Sequence, residues 1–372
     1  PDLRWLLLAQ LAAYCLTPWP LDRLVRSLDA ARRPAAACSC GLTLLWFLYP
    51  PMQAAMKTPF HPSTLAAPLI LLCLLWWRQQ RFVRFSVGMA MLLLFKENLA
   101  LVLAGVGMTT LAQGRRVRRG VLLLALSVGL LWISTQWLIP WIEGGDYSKL
   151  SRLAPFDRLP AKVQYVWGLL SPLGFLPLLH WRQGLVAFPA MLQNLASGYQ
   201  PMLSLQFHYD DLTAPLLFAS LPSPLLLWWW PRLAQCRRLP AIAAAVIVMP
   251  ALVAVPKSPL LSLSKDPPMA VHQQLHRRLV ELEAQLPRDV WLLSQHAFGP
   301  YLHHPLHRPF TAEDERCSMA GLAAGSVIVL SDAVNDAGIT DLPACLAALQ
   351  QEPTAEQLHR YQPLYVFRLR ET

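Results

Sequence analysis

Apolar stretches follow one another along most of this chain, and the charges between them alternate in kind. The connections Arg78-Gln79-Gln80-Arg81 and Arg115-Arg116-Val117-Arg118-Arg119 are almost purely basic, as are the stretches around Arg32-Arg33 and between Arg232 and Arg238. The alternate connections carry Phe60-His61-Pro62, Lys96-Glu97-Asn98, Asp146 and His208-Tyr209-Asp210-Asp211. Cytoplasmic loops of membrane proteins are enriched in Lys and Arg. The alternation therefore assigns two sides, with arginines inside and the histidines and acids gathered on the outer face.

Composition supports a multipass α-helical membrane protein. The 372 residues are 55% hydrophobic and 15% charged, too few polar faces for that many apolar helices in a soluble fold. A net charge of +10 in a soluble domain would suggest nucleic acid. Here the excess sits in short loops beside apolar spans, so membrane lipids with anionic headgroups are the expected partners, and nucleic acid is not. Trp76-Trp77, Trp137, Trp141 and Trp228-Trp229-Trp230 fall near span ends, as interfacial belts do. The seven cysteines form no framework. Cys317 and Cys345 alone lie where an oxidising compartment would let them bond, and neither spacing nor context requires it.

Ten apolar stretches read as spans or half-spans: residues 3–19, 35–50, 64–77, 85–95, 99–112, 121–141, 163–179, 184–195, 212–230 and 241–255. Residues 143–162 and 197–211 are outer loops. The expected fold is a polytopic helical domain over 1–256, with some helices short or re-entrant, a linker over 257–271, and a small α/β domain over 272–372. That last domain is expected on the outer side, with strands at Val290-Trp291-Leu292-Leu293, Val327-Ile328-Val329-Leu330 and Tyr365-Val366-Phe367. An amphipathic helix over 272–286 precedes these strands, and a helix over 342–350 lies between the last two. The chain opens on Pro1 without a charged leader or cleavage site, so an N-terminal part carrying further spans is expected to precede it.

Residues 85–112 decide the topology. One continuous helix would put Lys96 and Glu97 near the bilayer centre, at roughly 2.5–3.5 kcal/mol each. It would also separate the two basic turns to opposite sides. Two helices of about a dozen residues keep both turns inside, but each spans only roughly 18–20 Å, less than the ~30 Å of hydrocarbon. The Lys96-Glu97 corner then lies at partial depth, sheltered by protein or water. We favour the hairpin, because short helices ending on charges imply a pocket.

Four features in order resemble a family of bacterial multipass membrane proteins defined by a domain of unknown function (number 2079). They are Phe60-His61-Pro62 opening a span, Lys96-Glu97 inside an apolar region, His208-Tyr209 before a descending helix, and Ser294-Gln295 to Pro300 after a strand. The resemblance runs from about Pro50 onward. That family is itself similar to the GT-C type polyprenol-dependent glycosyltransferases. The resemblance implies an inner-membrane transferase that takes a sugar from a polyprenyl-phosphate donor at the periplasmic face and passes it to an unidentified acceptor. Such enzymes use an Asp in the first outer loop as base, and that loop is expected in the N-terminal part that precedes Pro1.

The residues can be weighed on their own chemistry. A phosphate-linked donor needs a cation near the leaving phosphate and a carboxylate for proton transfer. Lys96 suits the first role and Glu97 the second; the plainer alternative is an ion pair finishing a hairpin. His208 and Asp211 join Glu97 as expected catalytic groups, and His61, Lys96, Tyr209 and Asp210 as substrate-binding groups. Asp210 and Asp211 could equally cap the helix that starts near Leu212, or hold a divalent cation, Mg or Mn, beside the phosphate. His61 has an alternative as an interfacial residue with a satisfied partner. Asp146, Lys149, Arg152, Asp157 and Arg158 read as a solvated or amphipathic connector, with contact to donor or acceptor as the alternative. His296, His303, His304 and His307 fit no standard metal spacing. Nucleotide, hydrolase and zincin motifs are absent. The rival readings are a transporter or lipid-handling protein, since short charged-tipped helices also build midplane sites, and a non-catalytic envelope assembly or binding protein.

Overall fold

The computed structural model describes residues 3–28, 32–57, 60–114, 116–143, 153–205, 208–229, 269–294, 306–309, 325–331, 342–351, 353, 355–361 and 364–370. The expected span at 241–255 lies outside them, as do Asp146, Lys149, Arg152, His296, His303, His304 and Cys317. The chain divides into two compact units, Pro1–Ser264 and Lys265–Thr372, at a point inside the stretch read as linker.

Among its described residues the first unit is helical apart from an isolated antiparallel bridge between Leu153 and Ser197. It opens with α1 (Leu3–Leu16), α2 (Pro18–Arg26), α3 (Arg32–Leu48) and α4 (Pro50–Lys57). A 3-10 turn, Pro62–Ala66, leads into α5 (Ala67–Arg78), and α6 (Phe82–Leu93) follows. A second 3-10 turn, Glu97–Ala100, starts α7 (Leu101–Ala112), and α8 (Val117–Ile133) runs through a π turn at Ser134–Leu138 into α9 (Ile139–Glu143). Shorter pieces complete it: α10 (Leu159–Leu170), α11 (Leu176–Leu179), α12 (Trp181–Gly184), α13 (Phe188–Ala196) and α14 (Thr213–Ser220).

Among the described residues one helix, Val117–Ile142, is long and apolar enough to cross a membrane; its 26 residues span about 39 Å. A bent pair, Ala35–Leu48 and Pro50–Met56, would make a second, with a 53° break. Pro50 and Pro51 force that break, since a proline lacks the N–H that continues a helix. The other expected spans are shorter apolar helices, Pro62–Arg78, Phe82–Leu93, Glu97–Ala112 and Thr213–Leu226. The stretch read as one span over 163–179 is two pieces. Pro172 ends the first, and Gly174 and Phe175 turn the chain at φ 59° and 55°.

The 85–112 region is a hairpin. Lys96 takes an extended backbone (φ −167°, ψ 143°) between α6 and α7, which no continuous helix tolerates. The Arg119 guanidinium lies 4.6 Å from the Phe82 ring centroid, so the start of α6 and the start of α8 share one end of the unit. Both basic turns are therefore at that end, and the Lys96 corner is remote from it. Ser127 Oγ donates to the Ala100 carbonyl at 2.8 Å, levelling the first turn of α7 with the middle of the long helix. The corner thus lies beside the middle of that helix rather than beside its far end.

Glycines let these helices meet. A Cβ on Gly107 would sit 2.9 Å from the Gly120 carbonyl oxygen, and one on Gly105 only 2.0 Å from that of Val186. Close backbone approach through small residues is how helices associate without a hydrophobic drive. Trp46, Tyr49 and Phe218 form the aromatic centre. Trp46 and Tyr49 meet Phe218 edge-on at 5.1 and 5.3 Å.

The second unit carries a five-stranded sheet in the order β2-β1-β3-β5-β4. Its strands are β1 (Leu292–Ser294), β2 (His307–Pro309), β3 (Val327–Ser331), β4 (Ala355–Tyr361) and β5 (Leu364–Leu369). β1 pairs in parallel with β2 and β3, and β5 antiparallel with β3 and β4. The helices α15 (Met269–Gln285) and α16 (Leu342–Gln351) cover its two faces. Leu279 of α15 packs on Leu292, Val327 and Val366, and Cys345 and Leu349 of α16 on Leu293, Ile328 and Phe367. Cys345 is disulfide-bonded.

Candidate functional site

Three turns bring polar side chains together inside the helical unit. The first is Phe60-His61-Pro62. His61 is extended, as the residue before a proline must be, and its carbonyl accepts from both the backbone N–H and the hydroxyl of Thr64, at 3.0 and 2.6 Å. Gln10 locks this turn from α1. Its amide nitrogen donates to the Ala55 carbonyl at 3.1 Å, and its oxygen accepts the His61 N–H at 3.3 Å.

The second turn is the Lys96 corner, where α6 ends and the chain restarts as a 3-10 turn at Glu97. Lys96 and Glu97 are half-buried and Asn98 is buried. The third is the 3-10 turn His208–Asp210 with Asp211 behind it, just before α14. Asp210 and Asp211 are buried.

Lys96 is the shared neighbour. It is a charged partner of both Asp211 and His61. Burial raises the Asp211 carboxyl above the ordinary range; Lys96, the Ser63 hydroxyl and the Leu212 and Asp211 backbone N–H groups oppose that rise. Burial, with Lys96 second, holds the His61 imidazole down at about 4. A neutral imidazole beside an ammonium is the sensible arrangement in a confined space, because two cations there would repel.

The neighbouring acid faces other partners. Asp210 Oδ1 accepts from the Tyr165 hydroxyl at 2.6 Å and from the Asn194 amide at 3.3 Å. Asn194 also donates to the Tyr165 oxygen at 2.8 Å. Burial pushes Asp210 up to about 7, against the Tyr165 bond and with help from the Asp211 charge. Among the described residues, Oδ2 of both acids, Oγ1 of Thr213 and Oδ1 of Asn98 are buried without a hydrogen-bond partner. Four orphaned oxygens at the second and third turns are costly unless a ligand or water meets them.

Of the residues expected from sequence, His61, Lys96 and Asp211 come together. Glu97 stands beside Lys96 at the corner. Asp210 belongs to the Tyr165 network, and Tyr209 meets Tyr199 edge-on at 6.0 Å. The His208 backbone starts the third turn; its side chain lies outside the described residues. The helix-cap alternative holds only in part, since the N-cap position of α14 is Leu212 and has no side-chain cap bond. Asp157 and Arg158 are exposed, as expected of a solvated connector. Among the described residues no group of three or more His, Cys, Asp or Glu is arranged to hold a metal ion.

Ser63, Tyr165, Asn194 and Gln10 were not expected. Gln10 and Asn194 were findable, because a polar side chain within an apolar span demands a partner.

A family model described as "Predicted membrane protein (DUF2079)" matches residues 1–286. The match starts well before Pro50 and stops short of the Ser294–Pro300 stretch. No curated protein matches the chain. No solved structure does either.

Proposed function

Because the chain belongs to the DUF2079 family of predicted membrane proteins, we propose that it works within the bilayer as a GT-C-like glycosyltransferase. It takes a sugar from a polyprenyl-phosphate donor at the periplasmic face of a bacterial inner membrane. The observation that carries this reading is the meeting of His61, Ser63, Lys96 and Asp211 from three turns, away from the basic end. Lys96 supplies positive charge for the departing phosphate, and His61 hydrogen-bonds it. The acceptor O–H adds to the anomeric carbon as the carbon–oxygen bond to phosphate breaks. Its proton passes to Asp211 or Glu97, with His208 at the same turn. A carboxylate lifted by burial is a stronger base than one in water. Asp210 and Tyr209 line the acceptor side.

Lys96 supplies the charge that a divalent cation, Mg or Mn, would otherwise bring, so no step is routed through a metal. In this reading the α/β unit is periplasmic, where an oxidising compartment suits the Cys345 disulfide.

The test is transfer from a radiolabelled polyprenyl-phosphate sugar by the full-length protein in proteoliposomes. Asp211→Asn and Lys96→Gln each lower the rate at least ~100-fold, the usual reach of one acid–base or electrostatic group. Wild-type transfer by a Glu97→Gln, Asp211→Asn double variant rejects the assignment. The charged-tipped short helices also favour a transporter; movement of the intact lipid-linked sugar across the vesicle, without transfer, identifies that reading.

A further inference from the structure

The end of the helical unit opposite the polar cluster is a second place where turns converge. The contact between Arg119 and Phe82 brings the turn after α5 beside the turn after α7. Arg78, Arg81 and Arg84 come from the first, and Arg116, Arg118 and Arg119 from the second. All are exposed except Arg116, which is half-buried. From Arg78 to Arg119 the only acid is Glu97, a full length of α7 away at the opposite corner. Among the described residues none of these six arginines pairs with a carboxylate. Six like charges so gathered repel one another, and neither unit's core needs them there.

The surface just below the patch is apolar. Val83 is 79% exposed, Val87 56%, Val121 53% and Leu122 65%. These side chains lie within about two turns of the arginines on α6 and α8, roughly 10 Å along each axis. A guanidinium cluster running into exposed aliphatic side chains matches an amphiphile with a phosphate head and acyl tails, and does not match a free anion. Planar guanidinium groups bind phosphate oxygens in pairs, and basic pockets between membrane helices on the cytoplasmic side hold anionic headgroups.

We infer that the paired basic turns form a headgroup site for an anionic phospholipid, best filled by a diphosphate lipid such as cardiolipin. This site is separate from the proposed transfer site, and its test needs no catalysis.

The full-length protein is placed in phosphatidylcholine nanodiscs with or without a minor fraction of cardiolipin, and bound lipid is read by native mass spectrometry. Wild type retains cardiolipin. The variant Arg81→Gln/Arg84→Gln/Arg118→Gln/Arg119→Gln loses retention by on the order of tenfold or more, since each surface arginine contributes to headgroup affinity. The four corresponding Lys substitutions keep an intermediate share, above the Gln variant and below wild type, because the charge stays while the paired guanidinium bonds go, which separates lost charge from lost fold. Removing Arg277, Arg278, Arg288 and Arg368 as Gln leaves retention unchanged. Equal loss in that control reduces the effect to net charge and overturns the site. Millimolar inorganic phosphate displacing cardiolipin in full, or binding equally in phosphatidylcholine alone, overturns the lipid assignment.

Discussion

The Tyr165 hydroxyl donates to Asp210 Oδ1 across 2.6 Å, joining α10 to the turn that precedes α14. Asn194 of α13 completes the junction by touching both. Three helices remote in sequence are thus held around one carboxyl. Removing the hydroxyl alone, in Tyr165→Phe, leaves the ring's packing intact and strips Asp210 of its shortest bond. We expect a loss of about 1–3 kcal/mol, the usual cost of orphaning a buried acceptor, read as a lower thermal midpoint in detergent. Asn194→Ala gives a similar loss. In the double variant the two losses do not add, because both act on the same oxygen.

Asp210 also makes stability depend on pH. Burial pushes its carboxyl up to about 7 from an ordinary 3.8. A carboxyl raised on folding binds its proton more tightly in the native state. Its stabilising contribution is whole below the unfolded value and is lost as pH rises through about 7. Asp210 therefore lowers the thermal midpoint as pH rises from about 4 to about 7 and leaves it level above that, and Asp210→Asn removes this contribution. His61 acts in the opposite direction over much the same range, so the two contributions partly cancel in the wild type. Its depressed value of about 4 gives stability that is present above the unfolded value and lost as pH falls toward 4, so His61→Gln removes that loss and leaves the Asp210 slope uncovered.

Much of this was legible in the sequence, and the parts that were not share physical causes. The strands β1, β3 and β5 are buried apolar runs and announce themselves by composition. β2 and β4 are the two edges of the sheet. Their sequences, His307-Arg308-Pro309 and Ala355 to Tyr361, are polar because an edge faces water on one flank. The hairpin at Lys96 was readable because burying two charges in hydrocarbon is expensive. The division of labour between Asp210 and Asp211 was not. Adjacent residues in a tight turn point different ways, and their partners Ser63, Tyr165 and Asn194 come from segments whose approach no local pattern specifies. Span lengths misled for a related reason: Pro172, Gly174 and Pro177 sit inside an apolar run that hydropathy alone joins.

The close helix contacts predict a graded glycine series. Gly105→Ala would drive a Cβ to 2.0 Å from the Val186 carbonyl oxygen, a backbone atom that cannot yield cheaply. Gly107→Ala meets the Gly120 carbonyl at 2.9 Å. Overpacking of this kind costs about 1–3 kcal/mol or more, so both variants lower the thermal midpoint, Gly105→Ala the further. Gly129 lies on the same long helix as Gly120, and a methyl added there would have nothing within 4 Å. At that position alanine's better helix propensity, worth up to about 1 kcal/mol, leaves stability unchanged or raised.

Sidedness follows from the same geometry and can be read by labelling. The Arg119–Phe82 contact fixes both basic turns to one end, and the long helix puts about 39 Å between its own ends. In a background with all seven cysteines replaced by serine, single cysteines are placed at Gln113, exposed beside the basic turn, and at Phe60, half-buried in the turn before Pro62. A membrane-impermeant maleimide added to intact spheroplasts labels Phe60→Cys, and labels Gln113→Cys only after the membrane is opened. The reverse pattern would put the arginines outside. Lys96 and Asp211 would then meet on the cytoplasmic side, where a periplasmic lipid-linked donor has no access to them. Labelling of both positions from outside would mean that the chain does not separate these ends across a bilayer at all, and the partial-depth corner would lose its rationale.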